Sequence, residues 1–274
     1  MSTDPWPVEA LRGQLDALLP GCGVEVVDEI DSTNTELMRR ARTGAGEPVL
    51  LVARRQTAGR GRMGRTWESG ADVERPSSLT FSLGVPLAPR DWSGLSLAVG
   101  VAVAQALDAN GQIGLALKWP NDLWVHDRKL GGILIETAIP QSDATQSAGA
   151  DPASRYAVIG VGLNLGPRDA QGMSTPPAWL REWQPEASPQ GVLDQVAAPL
   201  LSAVLEFADH GFARFAERFI ARDALRGRDV QLSDGTLGRC EGVGWGGELL
   251  VHTEDGMKTI SSSEVSVRPR REAT

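Results

Sequence analysis

Cysteine is scarce: Cys22 and Cys240 are the two in 274 residues. A disulfide framework or a zinc site needs more of them, at closer spacing. Two free thiols in a reducing cytoplasm are expected instead. The first ten residues, MSTDPWPVEA, carry neither a basic stretch nor an apolar one, so no signal peptide is expected there. No apolar run approaches the roughly 20 residues that span a bilayer, so a cytoplasmic protein with no membrane partner is expected. Positive charge is in the minority. Lys and Arg number 27 against 35 Asp and Glu, a net charge of −8, which argues against a chain built mainly to coat nucleic acid. Residues 8–19 place Leu11, Leu15, Leu18 and Leu19 on one helical face, but a helix-turn-helix needs about two or three helices ahead of the core. No specific DNA partner is expected, and a homodimer is left open.

What is present suits a globular fold. Apolar residues make up 41% of the chain and charged ones 23%, enough for a sizeable core. Pattern reading gives strands over 24–30, 49–53, 79–85, 115–119, 123–126, 129–139 and 156–165, and helices over 95–107, 192–207 and 212–220. Thr33 with Glu36 fits a capping box at the start of another helix, ended by Gly44. A turn is expected at Asp127-Arg128, a polar hairpin tip over 69–77, and a low-complexity loop without chemistry over 141–155. From residue 227 to 267 short β-like runs alternate with Asp234-Gly235, Gly246-Gly247 and Asp255-Gly256, which are hairpin signals. Strands and helices mix irregularly before that. The expectation is an α+β domain with a mixed or antiparallel sheet over residues 1–223, followed by a small all-β domain over 224–274.

Three constellations carry chemistry. In the first, Gly59-Arg60-Gly61-Arg62-Met63-Gly64-Arg65 precedes Thr66-Trp67; with Arg54 and Arg55 it gathers five arginines in an acidic chain. Glycine lets backbone approach a ligand, arginine offers forked donors for phosphate or carboxylate, and Trp67 offers a flat ring. From these residues alone a solvated surface loop is the plain reading, and an RNA-binding patch a lesser one. No P-loop is present, and the extra arginines spoil a dinucleotide fingerprint. In the second, Lys118-Trp119-Pro120-Asn121-Asp122 reads as a strand end and turn. It is followed by Lys129-Leu130-Gly131-Gly132-Ile133, where missing side chains leave room for a ligand. Surface charge is the plain reading of both lysines. In the third, Gly160, Gly162 and Asn164 interrupt an otherwise buried strand; a bulge is the plain alternative to close backbone approach.

In this order, and with Asp31-Ser32-Thr33-Asn34 and Gln56-Thr57-Ala58 ahead of them, these segments resemble the biotin protein ligase family over residues 28–165. The resemblance implies a ligase that activates biotin with ATP to biotinyl-5'-AMP and transfers it to a lysine of a biotin carboxyl carrier domain. It implies biotin contacts at Ser32, Thr33, Asn34, Gln56, Arg60, Gly61, Arg62, Lys129, Gly131, Gly132 and Gly162. Adenylate contacts are implied at Arg65, Trp67, Asn121, Lys129 and Asn164. Lys129 and Arg62 would offset the repulsion between biotin carboxylate and phosphate. Asp122 would orient or deprotonate the acceptor lysine. Mg2+ would arrive with the ATP phosphates, with no metal held by the protein. The terminal β domain matches the family's SH3-like barrel in position and size. The arginine loop is expected to be mobile until a ligand arrives. Lipoate protein ligase, a related family, is the alternative, although it usually lacks the full arginine loop; a non-catalytic nucleic-acid binder is the other.

Overall fold

The structure is a computed structural model, and it describes residues 6–70, 75–139, 154–170, 173, 175–261 and 267–269. The low-complexity segment, the tip of the 69–77 hairpin and part of the last β run lie outside the described residues. Chain order is α1 (Val8–Leu18), β1 (Gly23–Ile30), α2 (Thr33–Arg42), β2 (Val49–Gln56), β3 (Ser78–Leu87) and α3 (Leu95–Leu107). Then come β4 (Leu115–Lys118), β5 (Asp122–Val125), β6 (Arg128–Ala138), β7 (Arg155–Asn164), α4 (Pro189–His210) and α5 (Ala216–Ile220). The C-terminal strands are β8 (Asp229–Leu232), β9 (Leu237–Val243), β10 (Leu249–Thr253), β11 (Gly256–Ile260) and β12 (Val267–Pro269).

The first seven strands form one sheet in the order β1-β2-β3-β7-β6-β5-β4. Only β1 and β2 are parallel, joined by the α2 crossover; the other pairings are antiparallel. The sheet is therefore mixed, as expected. One face carries the main core beneath α1, α3 and α4. On α3 all but three positions are buried, which explains its apolar sequence: it is enclosed on every side. The opposite face meets α2 through a second cluster, Leu37, Met38, Ala41, Leu51, Tyr156 and Val158 among it. The C-terminal strands form a separate antiparallel sheet, β11-β10-β9-β8-β12.

Four expectations need correcting. Ser32, not Thr33, caps α2, its Oγ accepting from Thr35 N at 3.4 Å, while Glu36 pairs with Arg39 and Arg40 instead of closing a capping box. The β5–β6 turn lies one residue earlier, at His126-Asp127, with φ of 48° and 60°. Positive φ at both central residues is the twist a tight hairpin requires, and it frees Arg128 to join β6. The stretch 212–220 is a 3-10 turn at Phe212–Arg214, with Phe212 seated on Gly94, and then the short helix α5. Finally, α4 reaches 22 residues, long and apolar enough by composition to cross a membrane, with a mean hydropathy of 1.4. It is instead the core helix, packed on α1 and α3 with ten buried residues.

Candidate active site

The α2-facing side of the sheet is lined with small residues where β3, β6 and β7 run together. Thr80 and Ser82 of β3 lie beside Gly162 and Gly160 of β7, and these beside Gly132 and Leu134 of β6. A floor of glycine, serine and threonine leaves a depression between sheet and helix. The glycines are occupied by neighbours from above. A Cβ on Gly160 would collide with Asn34 Oδ1, and one on Gly162 would lie 2.5 Å from the Trp67 ring. The register is continuous across both, so this is close approach and not a bulge.

At one end of this pocket the helix start supplies polar groups. Gln56 Oε1 accepts from Thr33 N at 2.8 Å, and Ser82 Oγ lies 2.6 Å from both Thr33 Oγ1 and Asn34 Oδ1. Asn34 Nδ2 donates to Glu136 Oε2 at 3.0 Å and Leu134 O at 3.3 Å. The arginine loop folds over this end as a small hairpin. Arg60 bridges Thr66, Gly61 N donates to Arg65 O at 2.7 Å, and Trp67 N to Gly59 O at 2.8 Å. Met63 takes a φ of 56° at its tip.

The other end is cationic. Asp122 sits between two lysines, Oδ1 at 2.6 Å from Lys129 Nζ and Oδ2 at 3.7 Å from Lys118 Nζ. Arg62 reaches in from the loop to Asn121 Oδ1 at 3.4 Å, and Asn121 Nδ2 anchors to Ile133 O at 2.7 Å. Burial lowers the affinity of Lys118 and Arg62 for their protons, against the opposing pull of Asp122. Arg60, Arg62, Arg65, Lys118 and Lys129 outnumber Asp122, the one acidic side chain on the wall among the described residues. Such a pocket favours an elongated ligand with a polar, uncharged end and an anionic end.

A family model described as the biotin/lipoate A/B protein ligase family matches residues 26–149. The bifunctional ligase/repressor BirA of Escherichia coli is 33% identical over 273 residues, which cover 96% of this chain and 80% of the relative. The biotin--[acetyl-CoA-carboxylase] ligase of Paracoccus denitrificans is 30% identical over 86% of this chain and 96% of its own. A solved biotin protein ligase from Aquifex aeolicus in complex with biotin and ATP superposes with a TM-score of 0.71 at 26% identity, over 90% of this chain and 99% of that one. The chain belongs to the biotin protein ligases of that family.

The structure gathers nearly every residue that the ligase resemblance singled out onto one pocket wall: the Ser32–Asn34 start of α2, Gln56, the arginine loop with Trp67, the Asn121-Asp122 turn, Lys129, Gly132 and Gly162. Gly131 and Asn164 lie off that wall. A Cβ on Gly131 would meet Gly162 O at 2.6 Å, so its smallness serves strand packing. Asn164 Nδ2 binds Lys129 O at 3.1 Å and Ala178 O at 3.0 Å, and its Oδ1 accepts from Arg168 at 2.7 Å. It fastens residues 176–178 along β6, where Lys129 N donates to Pro176 O at 2.8 Å. Trp67 packs against Gly162 and has the Arg168 guanidinium 4.9 Å from its ring centre. Lys118 is no surface charge: it is buried, with its ammonium 5.2 Å from the Trp124 ring. Sequence reading missed Thr80, Ser82 and Glu136. Their strand positions on the α2 face were the available signal, and it becomes usable only once the β3–β7–β6 register is known.

Proposed function

We propose that this chain activates biotin with ATP, forming biotinyl-5'-AMP, and transfers the biotinyl group to a lysine of a biotin carboxyl carrier domain. One observation carries the reading: the six separated sequence segments of the resemblance converge on a single pocket whose ends differ in charge, neutral and polar at α2 and cationic at Lys129. Biotin has the matching form, a cyclic urea at one end and a carboxylate at the other.

In the first step a biotin carboxylate oxygen attacks the α-phosphorus of ATP, and pyrophosphate leaves. Both partners are anions, so fixed cations must offset their repulsion. Lys129 and Arg62 stand where the pocket is most cationic, and Lys118 lies behind them. Asp122 holds Lys129 in place through its 2.6 Å ion pair, and we assign it this orienting role, with the acceptor amine its second ligand. In the second step that amine attacks the carbonyl carbon of the mixed anhydride, AMP leaves, and an amide bond forms. Arg65, Trp67 and Asn121 are assigned to the adenylate; Asn164 is assigned to it indirectly, through the segment it fastens.

Mg2+ is assigned to the ATP phosphates. Among the described residues no three His, Cys, Asp or Glu side chains come together, and the pocket carboxylate Asp122 already faces Lys129 and Lys118. The ion would neutralise the departing pyrophosphate. The reaction is placed in the cytoplasm, where ATP and carrier are available and where the buried thiols of Cys22 and Cys240 stay reduced.

The test is incubation of the purified chain with biotin, ATP and Mg2+, followed by mass spectrometry for biotinyl-adenylate and then for a carrier domain gaining one biotinyl group. Lipoyl-adenylate in its place would move the assignment to the lipoate branch. No adenylate of either kind would sink the reading.

A further inference from the structure

Glu136 lies outside every motif of the sequence, yet each of its oxygens holds a different part of the pocket. Oε2 accepts from Asn34 Nδ2 at 3.0 Å, and Oε1 pairs with Arg60 of the loop at 3.0 Å. We infer that Glu136 is a positioning residue that fixes the proton direction of the pocket floor and ties the arginine loop to it. The inference rests on the biotin reading for its substrate arm alone.

The direction follows from which atoms can donate. The Asn34 atom facing Glu136 also faces Leu134 O at 3.3 Å. Both partners only accept, so that atom is the amide nitrogen and the other is the oxygen. Ser82 Oγ, 2.6 Å from Asn34 Oδ1, must therefore donate to it. Its one proton is then used, so at the 2.6 Å contact between Ser82 and Thr33 the proton comes from Thr33. The looser 3.1 Å approach of Thr33 Oγ1 to Gln56 Oε1 is left without a proton. Thr33 thus keeps only lone pairs, an acceptor at the pocket wall. Gln56 Oε1 is engaged by Thr33 N, which leaves its NH2 as a donor. An acceptor beside a donor suits the N–H and C=O of a cyclic urea, and the charge on Glu136 sets that order from two residues away. The same carboxylate holds Arg60, whose backbone is paired to Thr66 in the loop hairpin. Floor order and loop closure are thereby coupled through one group.

The experiment compares Glu136→Gln, Glu136→Asp and Arg60→Gln with the unaltered chain. A glutamine keeps the shape, turns its NH2 toward Asn34 as readily as its oxygen, and offers Arg60 no charge. Glu136→Gln should raise the KM for biotin about tenfold, with the KM for ATP within about twofold. It should also shrink the preference for biotin over an analogue methylated at a ureido nitrogen. In the ligand-free protein, amide exchange over residues 59–67 should quicken. Glu136→Asp, which keeps the charge on a shorter arm, should recover part of each loss. Arg60→Gln, which removes the ion pair to Glu136 from the loop side, should quicken loop exchange. An unchanged preference in Glu136→Gln overturns the floor arm, and unchanged loop exchange in both Glu136→Gln and Arg60→Gln overturns the coupling. If Glu136→Gln does not fold, the Asp and Arg60 variants decide by the same readouts. An unaltered chain that forms no biotinyl-adenylate defeats the substrate reading and leaves the exchange arm standing on its own.

Discussion

Lys129 and Lys118 flank the same carboxylate but meet water differently: the side chain of Lys129 is 33% exposed, that of Lys118 only 9%. Replacing Lys129 with alanine should therefore cost little stability, within about 1 kcal/mol, and abolish adenylate formation. Thermal melting and pyrophosphate release measured together check this; a stable variant at full rate refutes the role. Lys118 should show itself through pH. Burial holds its affinity for a proton below the ordinary lysine value of 10.5. A lysine shifted downward loses its charge first as pH rises, and an uncharged amine no longer attracts phosphate. The KM for ATP should thus rise on the alkaline side, below pH 10.5, in the unaltered chain and not in Lys118→Arg, whose guanidinium stays charged. Coincident alkaline limbs would refute a role for the Lys118 charge.

Elements were legible where their pattern was local. The bounds of α3 follow from its apolar run alone, and β6 and β7 from theirs, within a residue. The α2-facing positions Thr80, Ser82 and Glu136 were not legible, because such a residue in a strand says nothing until its partner strand is known. Nor was the segment at 176–178, which pairs with Lys129 through Pro176 O and Ala178 N and carries no strand signal of its own. The C-terminus of α3 is secured in a way that pH can probe. Asp108 is buried, which alone would raise its titration, but Ile113 N, Leu115 N and Arg222 overcome this and hold it below the usual carboxylate range. A depressed carboxylate contributes stability that is present above its unfolded pKa of about 3.9 and lost as pH falls through the folded value. Asp108→Ala should cost about 3 kcal/mol near neutrality, and the gap in melting temperature should narrow below about pH 4. A constant gap across that window would refute it. The arginine loop forms a hairpin whose inward contacts include Arg62 on Asn121. Arg62→Gly should speed amide exchange over residues 60–66 and release adenylate before transfer, so that a bystander protein gains more biotin than with the unaltered chain. Equal bystander labelling would refute the shielding role.

At the scale of the whole molecule, the sequence suggested a boundary at residue 223, and the hairpin signals beyond it do form a separate sheet. The composition shift could not reveal that this sheet shares its core with the rest. Val230, Cys240, Leu249 and Val251 belong to the same apolar cluster as α3 and α4. Leu117 of β4 is held from both sides by the junction, its N–H donating to Arg222 O at 2.7 Å and its carbonyl accepting from Ala224 N at 3.0 Å. Trp119, fully buried between Lys118 and Pro120 of the pocket wall, donates from Nε1 to Gly247 O at 3.0 Å in the β9–β10 turn. The residue between two wall positions of the site is thus seated on the second sheet. We therefore expect one cooperative thermal transition for the whole chain, not two. Trp119→Phe removes part of the fully buried indole and leaves the Gly247 carbonyl without its donor, the unpaired carbonyl alone costing about 1–3 kcal/mol. That should lower the single melting temperature by several degrees and weaken ATP use more than biotin binding, because the disturbed contact lies under Lys118 and not under α2. Calorimetry with steady-state kinetics decides: two resolved transitions in the unaltered chain, or a variant with unchanged melting and unchanged KM for ATP, would show that the two sheets act independently.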